Sequence, residues 1–166
     1  LAIVVASAFG CAPDSAPDLD DDLETIDATE DELAEPGFDR SRVLSDVALT
    51  DAGSMTQAEI QAFLDKTPYG NKSALASYSS GGLKASAAIA KAASDHGINP
   101  LAILVRAQME QSLIGKTTAS KKALDFAFGC GCPDGKSCSE TWRGFHKQAD
   151  CMASHMRSYI DRKSVV

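Results

Sequence analysis

A mainly α fold in a single domain is what this sequence predicts, and three observations predict it. Thr56-Gln57-Ala58-Glu59 is a capping box in front of Ile60, Phe63 and Leu64. An alanine-rich stretch from Leu83 to His96 is closed by Gly97, the residue best suited to a left-handed helix end. Asn99-Pro100 then supplies an N-cap and a first-turn proline ahead of Leu101, Ile103, Leu104, Val105, Ala107 and Met109. Strand signals are nearly absent.

The chain starts with an apolar stretch, Leu1 to Gly10, ending in small residues before Cys11. Crossing a bilayer takes roughly 20 apolar residues, so residues 1–10 are expected to be the truncated end of a lipoprotein signal rather than a span. Ala8-Phe9-Gly10-Cys11 resembles a lipobox, with Phe9 and Ala8 departing from the usual residues, and makes Cys11 the candidate lipidation site. An ordinary secretory signal is the alternative, and both export the protein.

Residues 11–40 read as a disordered acidic tether. From Ala12 to Asp39 there are twelve acidic residues, no basic one and one aromatic, too little apolar surface to fold. Removing those twelve from the chain's 23 acids leaves 11 against all 16 Lys and Arg, so the remainder carries +5 where the whole chain carries −7. A basic exported domain is suited to anionic envelope polymers. No nucleic-acid motif is present, and no nucleic acid is expected as a partner.

Residues 41–166 form the expected folded domain, without an internal repeat. Its elements are a helix over about 57–66 stopped by Pro68, a Ser/Gly/Asn-rich loop over 69–82, and a helix over 83–96 packed through small side chains. The apolar helix from Asn99 is expected to be the central core helix. A short helix over 119–127, a cysteine loop over 130–138 and a last helical region over 139–162 follow.

Glu110 lies at the end of the third helix, on the face that carries Ile103, Ala107 and Ile114. A carboxyl group at a helix C-terminus against apolar neighbours is expected to hold its proton, the property a general acid needs. The plainer alternative is a border position paired with Arg106 one turn earlier. Gln111 and Ser112 are candidate substrate contacts beside it, and Phe128, Trp142, Phe145 and Tyr159 offer flat faces to a ligand.

The run Met109-Glu110-Gln111-Ser112-Leu113-Ile114-Gly115-Lys116-Thr117, then Ser120-Lys121-Lys122-Ala123, Phe128-Gly129 and Trp142-Arg143-Gly144-Phe145, resembles the lysozyme superfamily, in its glucosaminidase and lytic transglycosylase branches. Gly131-Cys132-Pro133-Asp134, Met55 to Leu64 and Ile98-Asn99-Pro100 are similar to secreted bacterial endo-β-N-acetylglucosaminidase-like domains. The resemblance spans about 54–160. It implies a lysozyme-like domain with a small disulfide-stapled lobe, and a peptidoglycan glycosidase with Glu110 as general acid and no cofactor. Many such enzymes use a second carboxylate on a mobile lobe; Asp134 is the candidate placed with Glu110, beside Asp125 and Glu140. Without one, the substrate's acetamido group would attack; with one across the cleft, a water would. The partners expected are peptidoglycan and, through Cys11, a membrane, for a monomer lipid-anchored in the envelope. The competing classes are a catalytically inactive glycan-binding lipoprotein and a scaffold lipoprotein.

Cys130, Cys132, Cys138 and Cys151 are an even, clustered set in a chain read as exported, which predicts two disulfides. Bonding Cys130 to Cys132 would close a strained ring, so these two are expected to reach Cys138 and Cys151 in one order or the other. A zinc site with His146 or His155 does not match a known ligand spacing, and no metal is expected. His96 is read as structural, and His146 and His155 as helix-surface residues.

Overall fold

The computed structural model describes residues 45–163. The signal, Cys11 and tether assignments lie outside the described residues, and no helix among these is long and apolar enough to cross a membrane. The architecture is mainly α, as predicted: α1 (Asp46–Thr50), α2 (Gln57–Asp65), α3 (Ala85–His96), α4 (Pro100–Gln111), α5 (Lys121–Asp125) and α6 (Phe145–Lys163), with one two-stranded hairpin of β1 (Ser79–Ser80) and β2 (Leu83–Lys84).

Local chemistry sets most boundaries where the sequence placed them. Thr56 and Glu59 exchange both capping-box bonds at the start of α2, Thr56 N–H to Glu59 Oε2 at 2.8 Å and Glu59 N–H to Thr56 Oγ1 at 3.3 Å. Gly97 closes α3 at φ 61°. Asn99 caps α4 by accepting from Leu101 N–H at 2.8 Å. Its own N–H and side chain reach back to the carbonyls of Leu49 and Ala48, at 2.8 and 2.9 Å, and tie α1 to the start of α4.

α5 is shorter than the predicted 119–127, and three other elements also depart from the prediction. The helix predicted over 83–96, α3, starts at Ala85, because Leu83–Lys84 pairs antiparallel with Ser79–Ser80 across Gly81-Gly82. Both glycines have positive φ, 59° and 79°, the requirement of a two-residue type I′ turn. The last helical region is broken: a 3-10 turn over Glu140–Trp142 ends at Arg143, and α6 begins only at Phe145. Gly144 N–H is drawn to Asp125 O at 2.8 Å with φ 108°, which turns the chain between them. α1 was not anticipated; Ser45 caps it through Ala48 N–H at 3.1 Å.

The core also has a different centre. α3 packs most extensively on α6 and next on α2. Buried Ala85, Ala88, Ala92 and Ala93 of α3, and Ala149 and Ala153 of α6, allow the close approach. α4 turns Ile103, Leu104 and Ala107 inward but leaves Leu101, Val105 and Met109 exposed, so it flanks the core instead of forming its middle. With Phe63, Pro68 and Tyr69 these residues line an apolar groove of about 290 Å³.

Candidate active site at the end of α4

The turn that follows Glu110 is fixed from several directions. Ser112 sits in the left-handed region, φ 56° and ψ 32°, and among the described residues it is the one non-glycine with positive φ. Its N–H donates to Gln108 O at 2.8 Å, and Leu113 N–H to Ala107 O at 3.2 Å. The Gln108 side-chain oxygen accepts from Ile114 and Gly115 N–H at 3.1 and 2.9 Å. Buried Ser73 donates to Leu113 O at 2.8 Å, and Asn71 to Gly115 O at 3.1 Å. Glu110 therefore stands on a rigid helix end.

Its surroundings are more open than predicted. Ile103, Ala107 and Ile114 are buried on the expected face, yet about a third of the Glu110 side chain is exposed (34%). The helix ends one residue later, so no further turn covers the carboxyl. Arg106, one turn earlier, pairs with it. The expectation of an apolar, desolvated carboxyl is corrected accordingly: Glu110 is an accessible, ion-paired group. Gln111 and Ser112 are half-buried beside it.

The candidate aromatics divide. Phe145 is fully buried and Phe128 nearly so, their ring centroids 5.7 Å apart in the core. Phe145 is thus a core residue and not a sugar platform. Phe128 contributes only to the wall of a shallow groove of about 360 Å³ shared with Gly131, Pro133 and His155. Trp142 and Tyr159 keep exposed faces. Trp142 lies against Gly131, where an added Cβ would come within 2.4 Å of the indole, and Arg162 stacks 4.8 Å over Tyr159. Glu110 lines none of four grooves on the described surface, and of these rings only Phe128 lines one.

Among the candidate second carboxylates, Asp125 is buried and committed. Tyr78 donates to its Oδ1 at 2.8 Å, and Lys121 and Arg143 each reach its Oδ2 at 2.8 Å. Burial alone would raise the Asp125 pKa, but the bonds from Lys121, Tyr78 and Arg143 outweigh it and hold the carboxyl below its ordinary value. Burial, then the bond to Asp125, push the Tyr78 hydroxyl up to about 12. Arg143 also clamps Glu140 through two nitrogens, and these bonds lower the Glu140 pKa. Asp134 is exposed on the cysteine loop and has no ion pair among the described residues.

The loop is held by two disulfides, Cys130–Cys151 and Cys132–Cys138, one of the two orders expected. His155 lies within 4.8 Å of the Cys130 and Cys151 sulfurs, which are bonded to each other and so are not thiolate ligands. His96 meets Asp150 at 2.7 Å. His146 is not a plain surface residue: Ser80 Oγ bonds its Nδ1 at 2.9 Å, and added Cβ atoms on Gly81 or Gly144 would come within 2.4 and 3.1 Å of its ring.

Gln148 was not anticipated. This fully buried amide accepts from Phe128 and Cys130 N–H, both at 3.1 Å, and donates to Cys130 O at 2.9 Å and Trp142 O at 2.8 Å. It joins the loop, the 3-10 turn and α6. No protein-family model, curated protein or solved structure matches this chain.

Proposed function

We propose that this chain is a peptidoglycan glycosidase of lysozyme-like fold, exported and lipid-anchored through Cys11, that cuts β-1,4 bonds between amino sugars. The observation that carries the reading is Glu110: an accessible carboxyl on the last turn of a helix whose following turn is locked by Gln108, Ser73 and Asn71. A general acid needs such a position, fixed in backbone and open on one side to the leaving oxygen. The motif order around it supplies the reaction class. Arg106 must leave Glu110 as the bound glycan arrives, so that the carboxylate takes up a proton from solvent and turns it to the glycosidic oxygen. No cofactor takes part in this chemistry, and the protein acts as a monomer.

Asp125 and Glu140 are tied to Arg143, which leaves Asp134 as the carboxylate free to activate water. If Asp134 stays away from the glycan, the acetamido oxygen of the sugar attacks its own anomeric carbon to give an oxazolinium, and the C6 hydroxyl, giving its proton to Glu110, displaces it to leave an anhydro product. The same pairings favour one competing reading, a glycan-binding lipoprotein without catalysis, since Glu110 is held by Arg106.

Digestion of purified peptidoglycan by the wild-type chain beside Glu110→Gln, followed by mass spectrometry, tests this. Fragments from the wild type, falling about 10²-fold or more in the variant, are expected. Their ends name the bond: reducing glucosamine, reducing muramic acid or anhydro-muramic acid. Equal fragments from both, or none from a folded and oxidised wild type, would refute Glu110 catalysis; in the second case glycan binding without cleavage would establish the binding reading.

A further inference from the structure

A basic groove lies between α5 and the cysteine loop, and neither Glu110 nor Asp134 lines it. It has a volume of about 410 Å³, with Lys121, Lys122, Lys136, Glu140, Arg143 and Phe126 among the residues lining it. Its floor is prearranged. Arg143 lies 5.2 Å over the Phe126 ring and is fixed by Asp125 and Glu140, so its guanidinium is already spent.

The walls are different. Lys121 is held to Asp125, but Lys122 and Lys136 have no ion pair among the described residues and are exposed from two separate segments. Lys122 comes from α5 and Lys136 from the loop that Cys132–Cys138 closes. Two free ammonium groups on separate walls, held by a helix and a staple, suit an oxyanion between them. Glu140, exposed at 70% of its side chain, adds a negative charge to the same wall and disfavours a doubly charged group.

We propose that this groove binds a singly charged carboxylate, that of the stem peptide on a peptidoglycan strand. The choice of carboxylate over phosphodiester rests on the proposed function; the binding of a singly charged oxyanion rests on the groove alone. The site selects glycan that still carries its peptides, so the substrate is peptide-bearing and not naked glycan.

The test is calorimetric titration of the Glu110→Gln chain, which binds without cutting, with soluble peptide-bearing glycan fragments and with the same fragments stripped of peptide. Lys122→Gln/Lys136→Gln is compared with Lys91→Gln, a lysine paired with Asp95 elsewhere on the surface. Peptide-bearing fragments are expected to bind about tenfold more tightly than stripped ones; the double variant loses that factor and Lys91→Gln keeps it. The advantage shrinks as salt rises from 20 to about 200 mM. Equal binding of the two fragments, or an unchanged double variant, would overturn the proposal. Tighter binding of a glycerol-phosphate oligomer, lost in the double variant, would overturn the carboxylate assignment. Cleavage by wild type with no role for the lysines sinks this inference alone, while lysine-dependent binding without cleavage sinks the glycosidase alone.

Discussion

Replacing Gln148 by Met tests whether a single buried amide organises the cysteine lobe. Met has nearly the length and volume of Gln and packs without cavities, so the change isolates the hydrogen bonds. Four are lost, and three of them serve buried backbone groups: Phe128 N–H, Cys130 N–H and Cys130 O. The fourth, to Trp142 O, is partly open to water, which replaces it. A buried group left without a partner costs about 1–3 kcal/mol. Three of them give about 3–6 kcal/mol once relaxation admits some water, a large share of the roughly 5–15 kcal/mol that holds a domain together. At about 4 °C per kcal/mol for a domain of this size, the melting temperature falls by more than about 10 °C. The assay is thermal and urea unfolding of oxidised protein, with Gln148→Glu as companion. The glutamate keeps an acceptor for the two N–H groups, but must be protonated to donate to one of the two carbonyls. Its folded pKa is therefore raised, and its stability recovers as pH falls. A Met variant within about 1 kcal/mol of wild type, or a Glu variant without acid recovery, would refute the assignment of Gln148 as the organiser.

The Tyr78–Asp125 bond has consequences at both ends of the pH scale. The Tyr78 hydroxyl titrates at about 12 in the fold against an ordinary value near 10, so its contribution is complete below about pH 10 and gone as pH rises through 12. Asp125, lowered, contributes above about pH 4 and loses that contribution as pH falls through its folded value. Tyr78→Phe should cost about 1.5–3 kcal/mol at pH 7 and abolish the alkaline loss, checked by urea titrations from pH 6 to 12; an alkaline loss that survives the substitution would assign it to other groups. Reducing both disulfides should cost up to about 5 kcal/mol, about 3 from Cys130–Cys151 and about 2 from the shorter Cys132–Cys138 ring. Melting with and without a thiol reductant measures it, and an unchanged transition would show the staples to be energetically idle.

The helices were legible because their ends carry local chemistry: Thr56 with Glu59, Asn99 with Pro100, and Gly97 lie within a turn of what they control. The hairpin was not, since two-residue strands have no room for alternation, and its signal was Gly81-Gly82 alone. Asp125 was legible only as one of three candidate second carboxylates, not as a buried and paired one. Its partners Tyr78 and Arg143 are 47 and 18 residues away, and no spacing rule links them. Glu110 was placed on the right face but at the wrong depth, because periodicity reports direction and not how soon a helix stops covering its own last turn. Phe145 and Trp142 are both aromatic near the start of α6; one fills the core and the other stays exposed, a difference set by the break at Arg143-Gly144.

The two disulfides are nested, the ring closed by Cys132–Cys138 lying wholly inside the one closed by Cys130–Cys151. A cut in the peptide chain between Pro133 and Ser137 would thus separate nothing, because each new end stays covalently joined to the other through both bridges. Aspartyl or lysyl cleavage at Asp134 or Lys136 would leave a two-chain molecule that gains only a water in mass, keeps its core and the bonds of Gln148, and falls into two pieces only when reduced. For a protein read as working outside the cell, among proteases, a cut in the exposed loop would spare the fold and strike only the residues that the loop itself carries.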